Sequence, residues 1–218
     1  MTTVFDTRIC DLGEGPFWHP DRQQLFWFDI LGKRLLTQSS DGPQEWHFPE
    51  LVSAAGIIDR DTLMIASETA LFRFNLETGT KREITPLEAD NPITRSNDGR
   101  ADPFGGFWIG TMGKQAEPGA GSIYRYYRGE VRKLYPNISI PNSICFPAHG
   151  RFAHFADSIF RCVPNASTDI GFDSRPSDFK RSCVSGLLTM IAISRLSIST
   201  MAFGVPAGAT SPYQVVTS

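Results

Sequence analysis

An excess of either charge is missing from this chain: 21 Lys and Arg stand against 23 Asp and Glu, a formal net charge of -2. That balance gives no basic footprint for nucleic acid. No run of about 18 apolar residues occurs, so no membrane-crossing helix is expected. The opening residues MTTVFDTRICDLGEGP lack a basic segment followed by an apolar one. No secretory signal is therefore expected, and a cytoplasmic location follows. Cysteine is scarce, and Cys10, Cys145, Cys162 and Cys183 form no CxxC pair. They read as buried thiols of a cytoplasmic protein rather than a disulfide or zinc framework. The histidines are dispersed, with His19 expected in a turn after Trp18 and His47, His149 and His154 elsewhere; no HExxH and no His-x-His occurs, which argues against a histidine-built zinc site. GxSxG, a GxGxxG opening a helix and a P-loop are absent as well. A serine-nucleophile hydrolase, a dinucleotide enzyme and an NTPase all lack support.

What is present is a repeat of about 40–45 residues. Each copy has a Pro/Asp/Gly turn, a short apolar strand containing an aromatic, a second strand and a charged or Gly turn. The copies are GPFWHPDRQQLFWFDILGKRLLTQ from Gly15, DRDTLMIASETALFRFNLETGTKREI from Asp59, ADPFGGFWIGTMG…GSIYRYYRGEVRKL from Ala101 and FPAHGRFAHFADSIFRC from Phe146. Their strand cores are Leu25–Phe28, Leu63–Ala66, Phe107–Gly110 and Phe152–Ala156. This is the period of β-propeller blades. Hairpin turns fall at the Thr-Gly of NLETGTKREI and at Arg128-Gly129. The segment LEADNPITRSNDGRADP is polar and turn-rich, and is expected to be a loop long enough to reach an axial mouth.

The repeat divides the chain into an incomplete β-propeller over 1–161 and a different text over 162–218. All four tryptophans precede Cys162, 15 of the 57 residues from Cys162 onward are Ser or Thr, and no acid follows Asp178. The run SGLLTMIAISRLSISTMAFGVPAG fits neither strand alternation nor an amphipathic helix. Two readings stay open: a divergent tail, or a slipped reading frame. The fold class is all-β, of the six-bladed propeller kind, with about four recognisable blades and an irregular tail. Six blades of this period would take roughly 260–290 residues.

Four loop clusters carry candidate chemistry. Glu14, in DLGEGPFW, lies between glycines that let a ligand approach the backbone. Alternation along TRSNDGRADP would place Arg95 and Asn97 on one side, a guanidinium fork beside an amide. Asn142 follows Pro141 in SIPNSICF, and Glu117 sits on the Gly-rich loop GKQAEPGAG. Read singly, each is also a turn former or a solvated charge. Together, Glu14, Asn142, Asn97 and Asp98 form an oxygen set suited to a hard cation such as Ca²⁺, Mg²⁺ or Mn²⁺.

LGEGPFWHPDRQQLFWFDI, SNDGRADPFGGFWIGTMG…GSIYRY and IPNSICFPAHGRFAHFADS, in that order, resemble the signatures of the senescence marker protein/regucalcin/gluconolactonase family. The resemblance covers about residues 10–160. It implies a six-bladed propeller with one divalent cation (Ca²⁺, Zn²⁺, Mg²⁺ or Mn²⁺) in its mouth and hydrolysis of a sugar lactone. It implies metal ligands at Glu14 and Asn142, and substrate contacts at Arg95, Asn97 and Glu117. It also implies a third ligand, an aspartate that carries the proton, in a later PDG motif. That motif is missing here, where Asp169, Asp173 and Asp178 stand in other contexts. The catalytic acid is therefore unassigned, and impaired turnover is expected. Two other functions fit the same residues: a non-catalytic calcium- or sugar-binding propeller remnant, and a phosphotriesterase-like hydrolase.

Overall fold

The computed structural model describes residues 4–146, 152–159 and 165–167. The expected tail over 162–218 lies outside the described residues apart from the backbone of 165–167, and so do Cys162, Cys183 and His149. Every described element is a β-strand, and none is a helix long and apolar enough to cross a membrane.

The first sheet is a meander of β1 (Gly13–His19), β2 (Gln24–Asp29), β3 (Arg34–Ser39) and β4 (Gly42–His47). The second holds β5 (Val52–Ile57), β6 (Thr62–Ser67), β7 (Ala70–Asn75) and β8 (Lys81–Pro86). The third holds β9 (Thr94–Ala101), β10 (Phe107–Gly113), β11 (Gly121–Tyr127) and β12 (Glu130–Ile138). The fourth has β13 (Pro141–Cys145), β14 (Phe152–Asp157) and β15 (Asn165–Ser167). All pairings are antiparallel.

First strands meet first strands: β1 lies against β5, β5 against β9 and β9 against β13, while β1 also reaches β9. Burial grades along each sheet accordingly. β6 and β10 are buried almost throughout, whereas β4, β8 and β12 are mostly exposed or half-buried. This is a propeller-type arrangement.

The second strands explain the grading, because a strand with sheets on both faces must be apolar at every position. Phe26 and Phe28 pack with Leu63, Ile65, Phe72 and Phe74 between the first two sheets. The alternate residues Met64 and Ala66 turn the other way, onto Phe107 and Ile109. Trp108, between those two in sequence, packs instead with Ile144 and Phe155 of the fourth sheet. Removing a fully buried ring such as Phe72 is expected to cost about 3–5 kcal/mol.

Two aspartates clip the inner strands at their starts. Asp29 Oδ1 accepts hydrogen bonds from the amides of Leu12 (3.0 Å) and Gly32 (3.1 Å), and its Oδ2 pairs with Arg34 at 3.0 Å. Against the cost of burial, those donors hold its carboxyl below the usual carboxylate range. Asp157 clips the fourth sheet, accepting hydrogen bonds from the amides of Ser139 (2.9 Å), Ile140 (3.2 Å) and Ile159 (3.2 Å).

Three expectations need correction. The polar stretch around Arg95 is not a loop, because Thr94–Ala101 is the innermost strand of its sheet. Its polar side chains are satisfied by neighbouring inner strands rather than by water. Cysteine burial also differs: Cys10 is half-buried and Cys145 is exposed. A bulge between Asn142 and Cys145 breaks the alternation that would have turned Cys145 inward. His19 ends β1 and is fully buried, rather than lying in a turn.

Candidate functional site

The inner strands carry Glu14 on β1, Arg95, Asn97 and Asp98 on β9, and Asn142 on β13. Glu117 lies on the loop between β10 and β11. The structure links three of them directly. Arg95 Nη1 donates to Asn97 Oδ1 at 2.8 Å, and Asn97 Nδ2 donates to Asn142 Oδ1 at 3.0 Å. Asn97 Nδ2 also donates to the Pro141 carbonyl at 2.9 Å. Arg95 and Asn97 therefore do share one side of β9, and that side faces β13. Asn142 Nδ2 in turn donates to Ser158 Oγ at 2.8 Å.

Arg95 and Asn97 are each 7% exposed, so this chain runs through protein interior rather than over a surface. Burial pulls the Arg95 guanidinium below the usual arginine range, against the pull of Glu14 and Glu68. Burial also raises the Glu14 carboxyl, and the neighbouring Asp98 raises it further. The Gly15 amide and Arg95 oppose that rise. Glu14 thus stands in the field of both Arg95 and Asp98.

Asp98 is turned to a different task from the one its chemistry suggested. Its Oδ2 accepts from the Ile144 amide at 2.8 Å, and the amides of Gly99 and Ser143 stabilise its charge further. Part of the residue's surface stays accessible, yet the carboxylate lies deep, and burial raises its pKa. Successive amides at Ser143 and Ile144 form a small nest for the anion. Asp98 therefore staples β9 to the stretch just after Asn142.

Glu117 is half-buried and held by its own loop, where its Oε2 accepts from the Gln115 amide at 3.0 Å. The same oxygen would lie 2.0 Å from a Cβ added at Gly113. Gly113 pairs with Thr94, one residue before Arg95, so Glu117 sits over that end of the third sheet. No hydrogen bond joins it to Arg95, Asn97 or Asn142 among the described residues.

Two further residues belong to the neighbourhood and had no signal in the sequence. Glu68 takes the Leu51 amide at 3.0 Å and Lys114 Nζ at 2.5 Å, and its charge reaches Arg95. Ser158 holds the far side of the Asn142 amide. Only the FADS context of its own strand end names it, and that context is an ordinary turn.

The donor set suits a hard cation. Glu14 and Asp98, both half-buried, repel one another, a conflict that positive charge relieves. Asn142 Oδ1 uses one lone pair on Asn97 and keeps a second. Glu14 and Asn142 are the residues whose oxygens could contribute to such a shell. No group of three or more His, Cys, Asp and Glu suited to a metal occurs among the described residues.

Comparison with known proteins agrees with this architecture. The chain is 35% identical over 167 residues to an L-arabinolactonase of Azospirillum brasilense, covering 73% of this chain and 55% of that one. It is 33% identical over 165 residues to a pentonolactonase of Haloferax volcanii, covering 75% and 55%. Among solved structures, a calcium-binding protein, regucalcin, from Agrobacterium tumefaciens matches with a TM-score of 0.75 and 40% identity. That match covers 78% of this chain and 58% of the other. The chain thus spans little more than half the length of these relatives. Residues 12–179 match the SMP-30/Gluconolactonase/LRE-like region, and the chain belongs to that family.

Proposed function

We propose that this chain carries the cation- and substrate-binding half of a sugar lactonase, with its four sheets as blades of a six-bladed ring. The observation that carries the reading is the hydrogen-bonded series Arg95–Asn97–Asn142 running beside the half-buried Glu14. It sets a cation, a polar amide row and a carboxylate at the same inner strands, in a family whose relatives include lactonases.

Glu14 and Asn142 would hold one divalent cation, of the Ca²⁺, Zn²⁺, Mg²⁺ or Mn²⁺ kind. Such an ion, when bound, polarises a lactone carbonyl and makes its bound water more acidic. Arg95 offers the rest of its fork to the ring hydroxyls of a sugar lactone, and the buried chain to Asn97 fixes its direction. Asn97 keeps Asn142 turned the right way. Glu117, over the end of the third sheet, would offer Oε1 to a substrate hydroxyl while Oε2 keeps the Gln115 amide.

Turnover by this chain is weak on this reading. The aspartate that the family motif implies as third ligand and proton carrier has no matching context at Asp169, Asp173 or Asp178. Loss of a general base alone lowers rates by about 10²–10⁴.

A second reading, a non-catalytic cation- or sugar-binding protein, draws on the same gap. One experiment separates them: hydrolysis of gluconolactone by the purified chain, stripped with EDTA and reloaded with each cation in turn. Cation-restored hydrolysis above the spontaneous rate, lost in Glu14→Gln, supports the lactonase. Cation binding without any hydrolysis supports the second reading.

A further inference from the structure

The orientation of the Asn142 amide follows from groups whose roles are unambiguous. A guanidinium only donates and a backbone carbonyl only accepts. Arg95 Nη1 lies 2.8 Å from one end of the Asn97 amide, and the Pro141 carbonyl lies 2.9 Å from the other. The first end is therefore Oδ1 and the second Nδ2. Asn97 Nδ2 then meets the carbonyl end of Asn142 at 3.0 Å, which turns the amino end of Asn142 toward Ser158 Oγ at 2.8 Å. Asn142 is gripped from both sides.

Ser158 is itself fixed by backbone. Its amide donates to the Ile140 carbonyl at 3.0 Å, and the preceding Asp157 clips Ser139, Ile140 and Ile159 through their amides. The turn after β14 is thereby tied to the turn before β13, and the Ser158 hydroxyl arrives beside Asn142 with little freedom left.

We propose that Ser158 is a positioning residue: by accepting from Asn142 Nδ2 it keeps the amide oxygen, rather than the amino group, presented to the cation. Without it the amino end loses its acceptor, and Asn97 Nδ2 alone opposes the flip that would aim two N–H groups at the metal. The proposal rests on the reading of Asn142 as a ligand. It extends that reading to a hydroxyl 16 residues away in sequence.

The test is calorimetric titration of Mn²⁺ into the EDTA-stripped full chain and its variants, with thermal unfolding in EDTA alongside. Ser158→Ala is expected to weaken Mn²⁺ binding about tenfold, as loss of an outer-shell partner does, while the EDTA melting temperature falls only slightly, as loss of one half-buried hydrogen bond requires. Ser158→Thr, which keeps the hydroxyl, restores wild-type affinity. In an Asn142→Asp background, where either oxygen serves as ligand, Ser158→Ala should change affinity less than about twofold. Wild-type affinity in Ser158→Ala, or an equal loss in the Asn142→Asp background, overturns the proposal. Unchanged Mn²⁺ binding in Glu14→Gln and Asn142→Ala would instead remove the cation reading itself, and the role of Ser158 with it.

Discussion

Glu14 and Asn142 occupy the same place in two different sheets. Each follows a residue paired with a clipping aspartate, Gly13 with Asp29 and Pro141 with Asp157. Each then opens a bulge in which two residues oppose one, before pairing resumes at Phe17 with Phe26 and at Cys145 with His154. The first bulged residue is left-handed in both cases, Gly15 at φ 56° and Ser143 at φ 59°. One backbone device thus presents two different oxygen donors, a carboxylate and an amide.

That device separates the two bulge residues by substitution. A non-glycine residue in the left-handed region costs about 1–2 kcal/mol, and glycine's extra freedom in the unfolded chain returns about 0.5–1. Gly15→Ala should lose more than about 2 kcal/mol, since its Cβ would fall 2.3 Å from the Ser53 carbonyl oxygen as well as demanding a strained φ. Ser143 already carries a Cβ at the matching position, so Ser143→Ala adds no backbone strain and should lose less than Gly15→Ala. Urea unfolding of both variants checks the order.

Glu14 should cost stability when ionised without a cation. Its folded pKa is raised by burial and by Asp98 above the ordinary 4.5. A raised folded pKa means that stability is greatest below the unfolded value and is lost as pH rises through the folded one. Glu14→Gln should thus melt higher than wild type at pH 8 in EDTA, with the gap closing toward pH 4. Thermal scans across that range read it directly. Added Mn²⁺ should raise the melting temperature of wild type and leave the variant unmoved.

His19 gives the opposite dependence. Burial lowers its pKa from the ordinary 6.5, against the Asp59 carbonyl, which lies 3.4 Å from Nε2. Its Nδ1 is buried with no hydrogen-bond partner among the described residues. The unfolded chain therefore binds the proton first, and stability falls as pH drops below about 6.5. His19→Phe should lose less melting temperature between pH 7.5 and pH 5 than wild type does.

Arg95→Lys should separate binding from chemistry. Lysine keeps the charge but cannot hold Asn97 and a ring hydroxyl with one planar fork. Steady-state kinetics should show KM for a sugar lactone rising about tenfold, the equivalent of ~1.4 kcal/mol, with a smaller change in kcat. Where turnover is too slow, lactone binding by calorimetry reads the same loss.

Much of the sheet framework was legible because its physics is local. The strand cores at Leu25–Phe28, Leu63–Ala66 and Phe107–Gly110 fall inside β2, β6 and β10. The Arg128-Gly129 turn has both residues left-handed, at 49° and 87°, as a tight two-residue hairpin requires. The strand nature of Thr94–Ala101 was not legible, because its polar residues look solvated until their partners are known. Those partners are distant: Asn97 bonds Asn142, and Asp98 bonds the Ile144 amide 46 residues on. The pairing of Arg95 with Asn97 could be read from alternation, since both lie on one strand. The roles of Asp98 and Ser158 could not, since each depends on contacts between strands that sequence spacing does not encode.

The most direct measurement is a diffraction data set at the manganese edge from crystals of the full chain soaked in Mn²⁺. The account predicts one anomalous peak within coordination distance of a Glu14 carboxylate oxygen and Asn142 Oδ1. A fully soaked crystal with no peak there, or with its peak elsewhere, would contradict it.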